Sequence, residues 1–200
     1  ASMAPESVTA ELLDRSGKAL QVPVAATIVD KDFVRSSRAE VALAPLAAGR
    51  AAGLMSEAGM PCVADPGHEV VRMAHDMNIK VIPMHGPSSI MQALVASGLN
   101  GQQFVFHGYL PAKTEARKPK LRDLQVQAQK TGYTQIFMEA PYRSNQILQD
   151  IVSVISEGMS LSIASEIGTP YEYIETKKIG QWKKSLPDLH KKRCIFCLAV

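Results

Sequence analysis

Two hundred residues, 46% hydrophobic and 20% charged, supply enough apolar material for two cores and exclude a disordered chain. No apolar run approaches the ~20 residues that span a bilayer, and residues 1–6 carry no signal-peptide pattern. The odd count of 3 cysteines argues against a disulfide framework and for a reducing, cytoplasmic setting. The net charge of +3 is unevenly spread. Through residue 112 there are 8 lysines and arginines against 10 acids, and from 113 onward 14 against 9. No charged side chain falls between Lys80 and Lys113. This neutral stretch suggests two domains, 1–106 and 107–200, the second with a basic surface suited to a polyanion or to plain solvation.

In chain order, residues 5–13 suit a helix, 23–29 a strand, and Phe33 begins a second helix that is Ala-rich from 39 to 48. Residues 51–55 read as a strand, and "SEAGMPCVADPG" follows as a loop. Val70, Val71, Met73, Ala74 and Met77 share helical spacing over 69–77. Residues 80–84 read as a short strand, 85–88 as a loop, and 89–97 as a helix stopped by Gly98. Alternating strands and helices imply parallel βαβ units, hence α/β architecture.

The second half continues the pattern. Strands are expected at 103–109, 134–139 and 161–165, with a basic helix at 115–129 and another helix at 142–155. Residues 171–178 read as an antiparallel strand, and 194–200 as a strand that closes the sheet. Cys194 and Cys197 form a C-x-x-C, but the apolar run Cys194-Ile195-Phe196-Cys197-Leu198 reads as strand packing, not a metal site.

Ligands of open α/β sheets sit beyond the carboxyl ends of the strands. Three loops qualify: 56–67, 85–89 and 139–143. Ser88 and Ser89 stand at a helix start, suited to capping or to holding an anion. Glu57 and Asp65 suit hydroxyl or ammonium donors, or simple turn capping. Arg143 suits a phosphate, or solvent at a helix start. No G-x-G-x-x-G, G-x-x-x-x-G-K-[ST] or G-x-S-x-G is present, and the 5 histidines show no metal spacing.

Three stretches, "GLMSEAGMPCVADPG", "VIPMHGPSSIMQALVASGL" and "FVFHGYLPAKTEARKPKLRDL", together resemble the tetrapyrrole methylase superfamily, the class III S-adenosylmethionine-dependent methyltransferases. The nearest branch is the 16S ribosomal RNA ribose 2′-O-methyltransferases. "IFMEAPYRSNQILQDIV" is similar to a strand–helix element of that branch. The resemblance implies two α/β domains with mixed sheets and S-adenosyl-L-methionine in a cleft between them, and it implies a homodimer. Carried over by position, Ser56, Glu57, Ala58, Gly59, Pro61, Asp65, Pro66 and Gly67 match the central cofactor loop. Gly86, Pro87, Ser88 and Ser89 match the second loop, and Met138 and Glu139 a third cofactor position. Arg143, Arg117 and Lys118 become candidate substrate contacts, with ribosomal RNA or the small ribosomal subunit as partner.

Two departures accompany the resemblance. The family's opening strand and L-Y-x-x-P-x-P-L-G loop have no counterpart, and the segment after Arg38 reaches the next helix early. Missing residues near Arg38–Ala39 are therefore expected, with a Cα–Cα step well over ~3.8 Å. The family's R-E-L-T-K-x-x-E pattern becomes Ser165-Glu166-Ile167-Gly168-Thr169-Pro170-Tyr171-Glu172, without its basic positions. A small-molecule (tetrapyrrole) methyltransferase and a non-catalytic cofactor-binding module stay open as alternatives.

Overall fold

The computed structural model describes residues 52–56 and 59–200, with the short strands β1 (Leu12–Leu13), β2 (Ala19–Leu20) and β3 (Ala25–Ala26). The expected helices from Phe33 onward and the Arg38–Ala39 step lie outside the described residues, as do Glu57 and Ala58. The chain divides into two compact units, 1–87 and 88–200, whereas the charge distribution suggested a division at 106/107.

In the first unit, β1 pairs antiparallel with β2, so Leu12 and Leu13 are strand residues where a helix was expected. β3 falls inside the expected strand 23–29 and pairs in parallel with β4 (Ala52–Gly53), Ala25 opposite Ala52. Helix α1 (His68–Asp76) carries Arg72 and Asp76 one turn apart as an exposed ion pair at 3.1 Å, the spacing at which helix neighbours meet. Residues 80–84 do not form the expected strand. The run has strand length and composition, but Val81, Ile82 and Met84 are exposed and no described strand pairs with it. Apolar content without a partner edge does not make a strand.

The second unit is a five-stranded sheet with helices on both faces. Helix α2 (Ser89–Ser97) starts where Ser88 Oγ accepts the Met91 N–H at 3.4 Å and stops at Gly98 with φ 69°, as a Ser cap and a left-handed glycine dictate. β5 (Phe104–Tyr109) leads through helix α3 (Thr114–Thr131) to β6 (Thr134–Glu139), parallel to β5. Gly132, with φ 72°, ends α3 by donating its N–H to Ala128 O at 2.8 Å. A 3₁₀ turn, Pro141–Arg143, precedes α4 (Ser144–Val154), and β7 (Ser160–Ser165) pairs antiparallel with β8 (Tyr173–Lys178). The short helix α5 (Ile179–Trp182) packs Trp182 into the core, its Nε1–H donating to Leu161 O at 3.0 Å.

The strand order is β5-β6-β9-β7-β8, with β9 (Cys194–Ala199) antiparallel to both neighbours. The last strand therefore sits at the centre of the sheet instead of closing its edge. All six of its residues are buried, which accounts for an apolar run without polar alternation.

Side chains alternate between two cores. Phe137, Phe196, Leu161, Ile163 and Cys194 pack against Leu121 and Leu124 of α3 and Ile147, Leu148 and Ile151 of α4. Ile136, Ile195, Cys197 and Ala164 pack against Ile90, Ala93 and Leu94 of α2. Cys194 and Cys197, three residues apart on one strand, point to opposite faces and cannot ligate one ion together. Burial pushes the two thiols up to about 11 and about 12 respectively. Among the described residues no helix is long and apolar enough to cross a membrane.

Candidate cofactor and substrate-binding residues

The loop from Ser56 to Gly67 follows β4 and precedes α1. Among its described residues four have left-handed backbone: Gly59 (φ 79°), Cys62 (φ 69°), Ala64 (φ 55°) and Gly67 (φ 126°). For Cys62 and Ala64 this region carries a steric penalty that surrounding structure must offset. Such strain concentrates where a backbone is shaped to meet a ligand. Gly59 is exposed, while Pro61, Asp65 and Pro66 are half-buried. The Cys62 thiol is held above its ordinary range, first by burial and then by the neighbouring Asp65 charge.

Gly67 is the buried hinge of this loop. A Cβ there would stand 2.7 Å from Leu54 Cδ2 and 3.2 Å from Cys62 Sγ, and no L side chain adopts its φ of 126° comfortably. Its carbonyl accepts the Val71 N–H at 3.1 Å, the first bond of α1. Gly67→Ala is therefore expected to cost about 1–3 kcal/mol of local stability. Hydrogen exchange at the Val71 amide reads this directly, and unchanged protection there would contradict the hinge assignment.

Gly86 and Pro87 are exposed at the end of the first unit, and Gly86 has open space around its Cα. Ser88 is the helix cap, so its hydroxyl already holds one first-turn amide; Ser89 is exposed in that same turn. The remaining first-turn N–H groups lack intrahelical acceptors, the ordinary condition of a helix start. Met138 lies in the cluster formed by Ile90, Ala93 and Leu94, so the helix bearing Ser89 and the strand bearing Met138 share one core.

Glu139, the last residue of β6, is buried. Its Oε1 accepts the Ala140 N–H at 2.7 Å, Arg143 Nε–H at 2.9 Å and Arg143 Nη2–H at 2.6 Å. Oε2 is buried with no partner among the described residues. Arg143 also donates from Nη1 to the Tyr142 hydroxyl at 2.8 Å, and its guanidinium carbon lies 4.8 Å from the centre of that ring. The hydrogen bond to Glu139 raises the Arg143 pKa, burial opposes it, and the Glu139 charge adds to the rise.

Arg117, a candidate substrate contact from the sequence, is turned into the second unit. It is 1% exposed and fully engaged within the second unit. Its Nε–H donates to Asp150 Oδ2 at 2.8 Å, and Nη2–H reaches the same oxygen. Nη1 donates to Pro111 O and Ala112 O at 3.2 and 2.7 Å, and Nη2 to Thr114 Oγ1 at 3.0 Å. Its position was readable: Arg117, Leu121, Leu124 and Ala128 fall on one helical stripe, and the other three are core residues. Lys118 keeps a half-exposed side chain, with Nζ 3.8 Å from Asp150 Oδ1. Asp150, and the exposed Tyr109 and Tyr142, were not singled out from sequence.

The family model for tetrapyrrole (corrin/porphyrin) methylases matches residues 4–182. The chain belongs to that family. Among curated relatives, the ribosomal RNA small subunit methyltransferase I of Vibrio cholerae is 36% identical over 150 residues, 75% of this chain and 51% of the relative. The protein of that name from Synechocystis is 35% identical over 167 residues, 82% of this chain and 58% of the relative. The chain thus spans about half the length of the curated relatives it matches. Diphthine synthase superposes with a TM-score of 0.61 at 13% identity, covering 85% of this chain and 67% of that one. These findings bear out the expected α/β fold and the resemblance drawn from the loops.

Proposed function

We propose that the chain is an S-adenosylmethionine-dependent methyltransferase acting on a ribose 2′-hydroxyl of small-subunit ribosomal RNA. The observation that carries this reading is the 36% identity to the Vibrio cholerae ribosomal RNA small subunit methyltransferase I. A solved structure of similar fold, the uroporphyrin-III C-methyl transferase from Thermus thermophilus complexed with S-adenyl homocysteine, superposes with a TM-score of 0.51 at 16% identity, covering 90% of this chain and 86% of that one.

The residues present fit such a cofactor. The loop 59–67 carries left-handed backbone at Gly59, Cys62, Ala64 and Gly67, and at Gly67 a Cβ would stand 2.7 Å from Leu54 Cδ2. Ser56, Gly59, Pro61, Asp65, Pro66 and Gly67 would hold it in the first unit, with Glu57 and Ala58 carried by the resemblance alone. The half-buried Asp65 carboxylate accepts hydrogen bonds from ribose hydroxyls or an ammonium. The helix start at Ser88 and Ser89 favours a carboxylate. When bound, S-adenosylmethionine supplies a methyl group on a sulfonium, which leaves in an in-line displacement needing no metal. The protein's contribution is positioning and exclusion of water. Met138 would supply apolar contact, and Glu139 Oε2, buried with no partner among the described residues, would be an acceptor for a donor group. A homodimer in the cytoplasm, engaging the small ribosomal subunit, completes the reading.

The test is transfer of isotopically labelled methyl from S-adenosylmethionine to three acceptors: assembled small subunits, naked small-subunit RNA and uroporphyrinogen. Alkali-resistant label in RNA, the mark of a 2′-O-methyl group, is the expected result. Label in the tetrapyrrole alone overturns the RNA reading, and label in none of the three overturns catalysis by this chain.

A further inference from the structure

β5, β6 and β7 run in one direction and β9 runs against them, so one edge of the sheet collects the ends of the first three and the start of the fourth. Tyr109 is the last residue of β5, Tyr142 follows β6, and Tyr171 follows β7. They are 56%, 73% and 78% exposed, while Tyr133 and Tyr173 are partly buried. An exposed tyrosine in isolation is unremarkable, but three at one sheet edge are a pattern that core packing does not explain.

One of them is tied to a cation, and a second lies on the neighbouring strand. Arg143 lies over the Tyr142 ring at 4.8 Å, and Tyr109 stands opposite Met138, one residue before Glu139. Ser144 Oγ donates to Lys192 O at 2.8 Å, which ties the Tyr142–Arg143 turn to the basic run Lys191-Lys192-Arg193. Of the nearby acids, Glu139 and Glu166 are engaged by arginines, while the exposed Glu172 accepts the Gly168 N–H at 2.8 Å. Glu139 Oε1 is held by Arg143, and Glu166 takes the Arg193 backbone N–H at 2.7 Å and its Nη2–H at 2.8 Å. Arg193 nonetheless keeps 68% of its side chain exposed.

Exposed aromatic rings interleaved with cations suit a single strand. Bases stack on the rings and the backbone runs along the positive charges, whereas a duplex hides its base faces. We propose that this sheet edge receives an unpaired RNA segment, one base stacking on Tyr142 beside Tyr109 and the phosphates meeting Lys192 and Arg193. A second copy of this chain fits the edge less well, because it would set Lys191 and Lys192 against their own copies. The proposal rests on the RNA-methyltransferase reading and names how that substrate is held.

The test uses the 200-residue chain and an RNA oligonucleotide of about 12 nucleotides containing 2-aminopurine, offered single-stranded and annealed to its complement. The wild type binds the single strand more tightly and quenches the fluorophore. Tyr142→Ala weakens binding about tenfold and abolishes quenching, while Tyr142→Phe, which keeps the ring, retains both. Equal binding by Tyr142→Ala, or tighter binding of the duplex, overturns the proposal. S-adenosylmethionine titration of the same proteins separates the two ideas. No quenching by the wild type despite intact cofactor binding sinks this inference alone, and absent cofactor binding sinks the methyltransferase reading whatever the RNA does.

Discussion

Asp150→Ala is expected to lower the stability of the protein by about 3–5 kcal/mol. Asp150 is 3% exposed, and its Oδ2 takes both Nε–H and Nη2–H of Arg117, itself 1% exposed. Removing the carboxylate leaves a guanidinium buried without a counter-charge. The carbonyls of Pro111 and Ala112 and the Thr114 hydroxyl still accept from it, but none carries charge. Urea unfolding followed by circular dichroism reads the loss as a lowered midpoint with an unchanged slope. Replacing both partners by apolar residues, Arg117→Met with Asp150→Leu, should recover most of it, because the penalty is the unpaired charge. A single-variant loss under about 1 kcal/mol would place Arg117 on the surface and return it to the list of RNA contacts.

Phe196→Ala should cost a similar amount, about 3–5 kcal/mol, for an unrelated reason. Phe196 is wholly buried at the middle of the central strand and stacks on Phe137, ring centres 5.5 Å apart at an interplanar angle of 16°. Its truncation opens a cavity against α3 and α4 that the surrounding strands cannot close without losing register. The same unfolding experiment measures it. The two losses should be nearly additive if the sites are independent. If Phe196→Ala costs less than Ile→Val exchanges typically do, about 0.5–1.5 kcal/mol, then β9 is an edge strand after all.

The central placement of β9 shows where sequence reading stops. The run from Cys194 to Ala199 announces a strand buried on both faces, but hydrophobic period says nothing about neighbours. Only pairing with Gln135–Glu139 on one side and Ser160–Ser165 on the other reveals that the last strand is inserted between earlier ones. Helix limits were far more legible, because their signals are local. Ser88 and Gly98 bracket α2 through a hydroxyl cap and a left-handed turn, and Gly132 ends α3 likewise.

Residues 80–84 failed in the opposite sense. Val81, Ile82 and Met84 have the composition of a strand, yet a strand exists only where another backbone accepts its hydrogen bonds. In the site, the turn-rich loop before α1 was legible from its glycines and prolines. The left-handed Cys62 and Ala64 were not, since neither residue type signals that conformation. The burial of Arg117 was hidden by its charge, although its place on the Leu121, Leu124 and Ala128 stripe pointed inward. Exposure of Tyr109 and Tyr142 emerges only when the strand ends are brought to one edge.

Isothermal titration of the chain with S-adenosylmethionine and S-adenosylhomocysteine tests the central claim most directly. Binding of both at one site per chain, weakened by Gly67→Ala through the loop that Leu54 and Cys62 press upon, is the predicted result. No heat from either compound at millimolar concentration would contradict it.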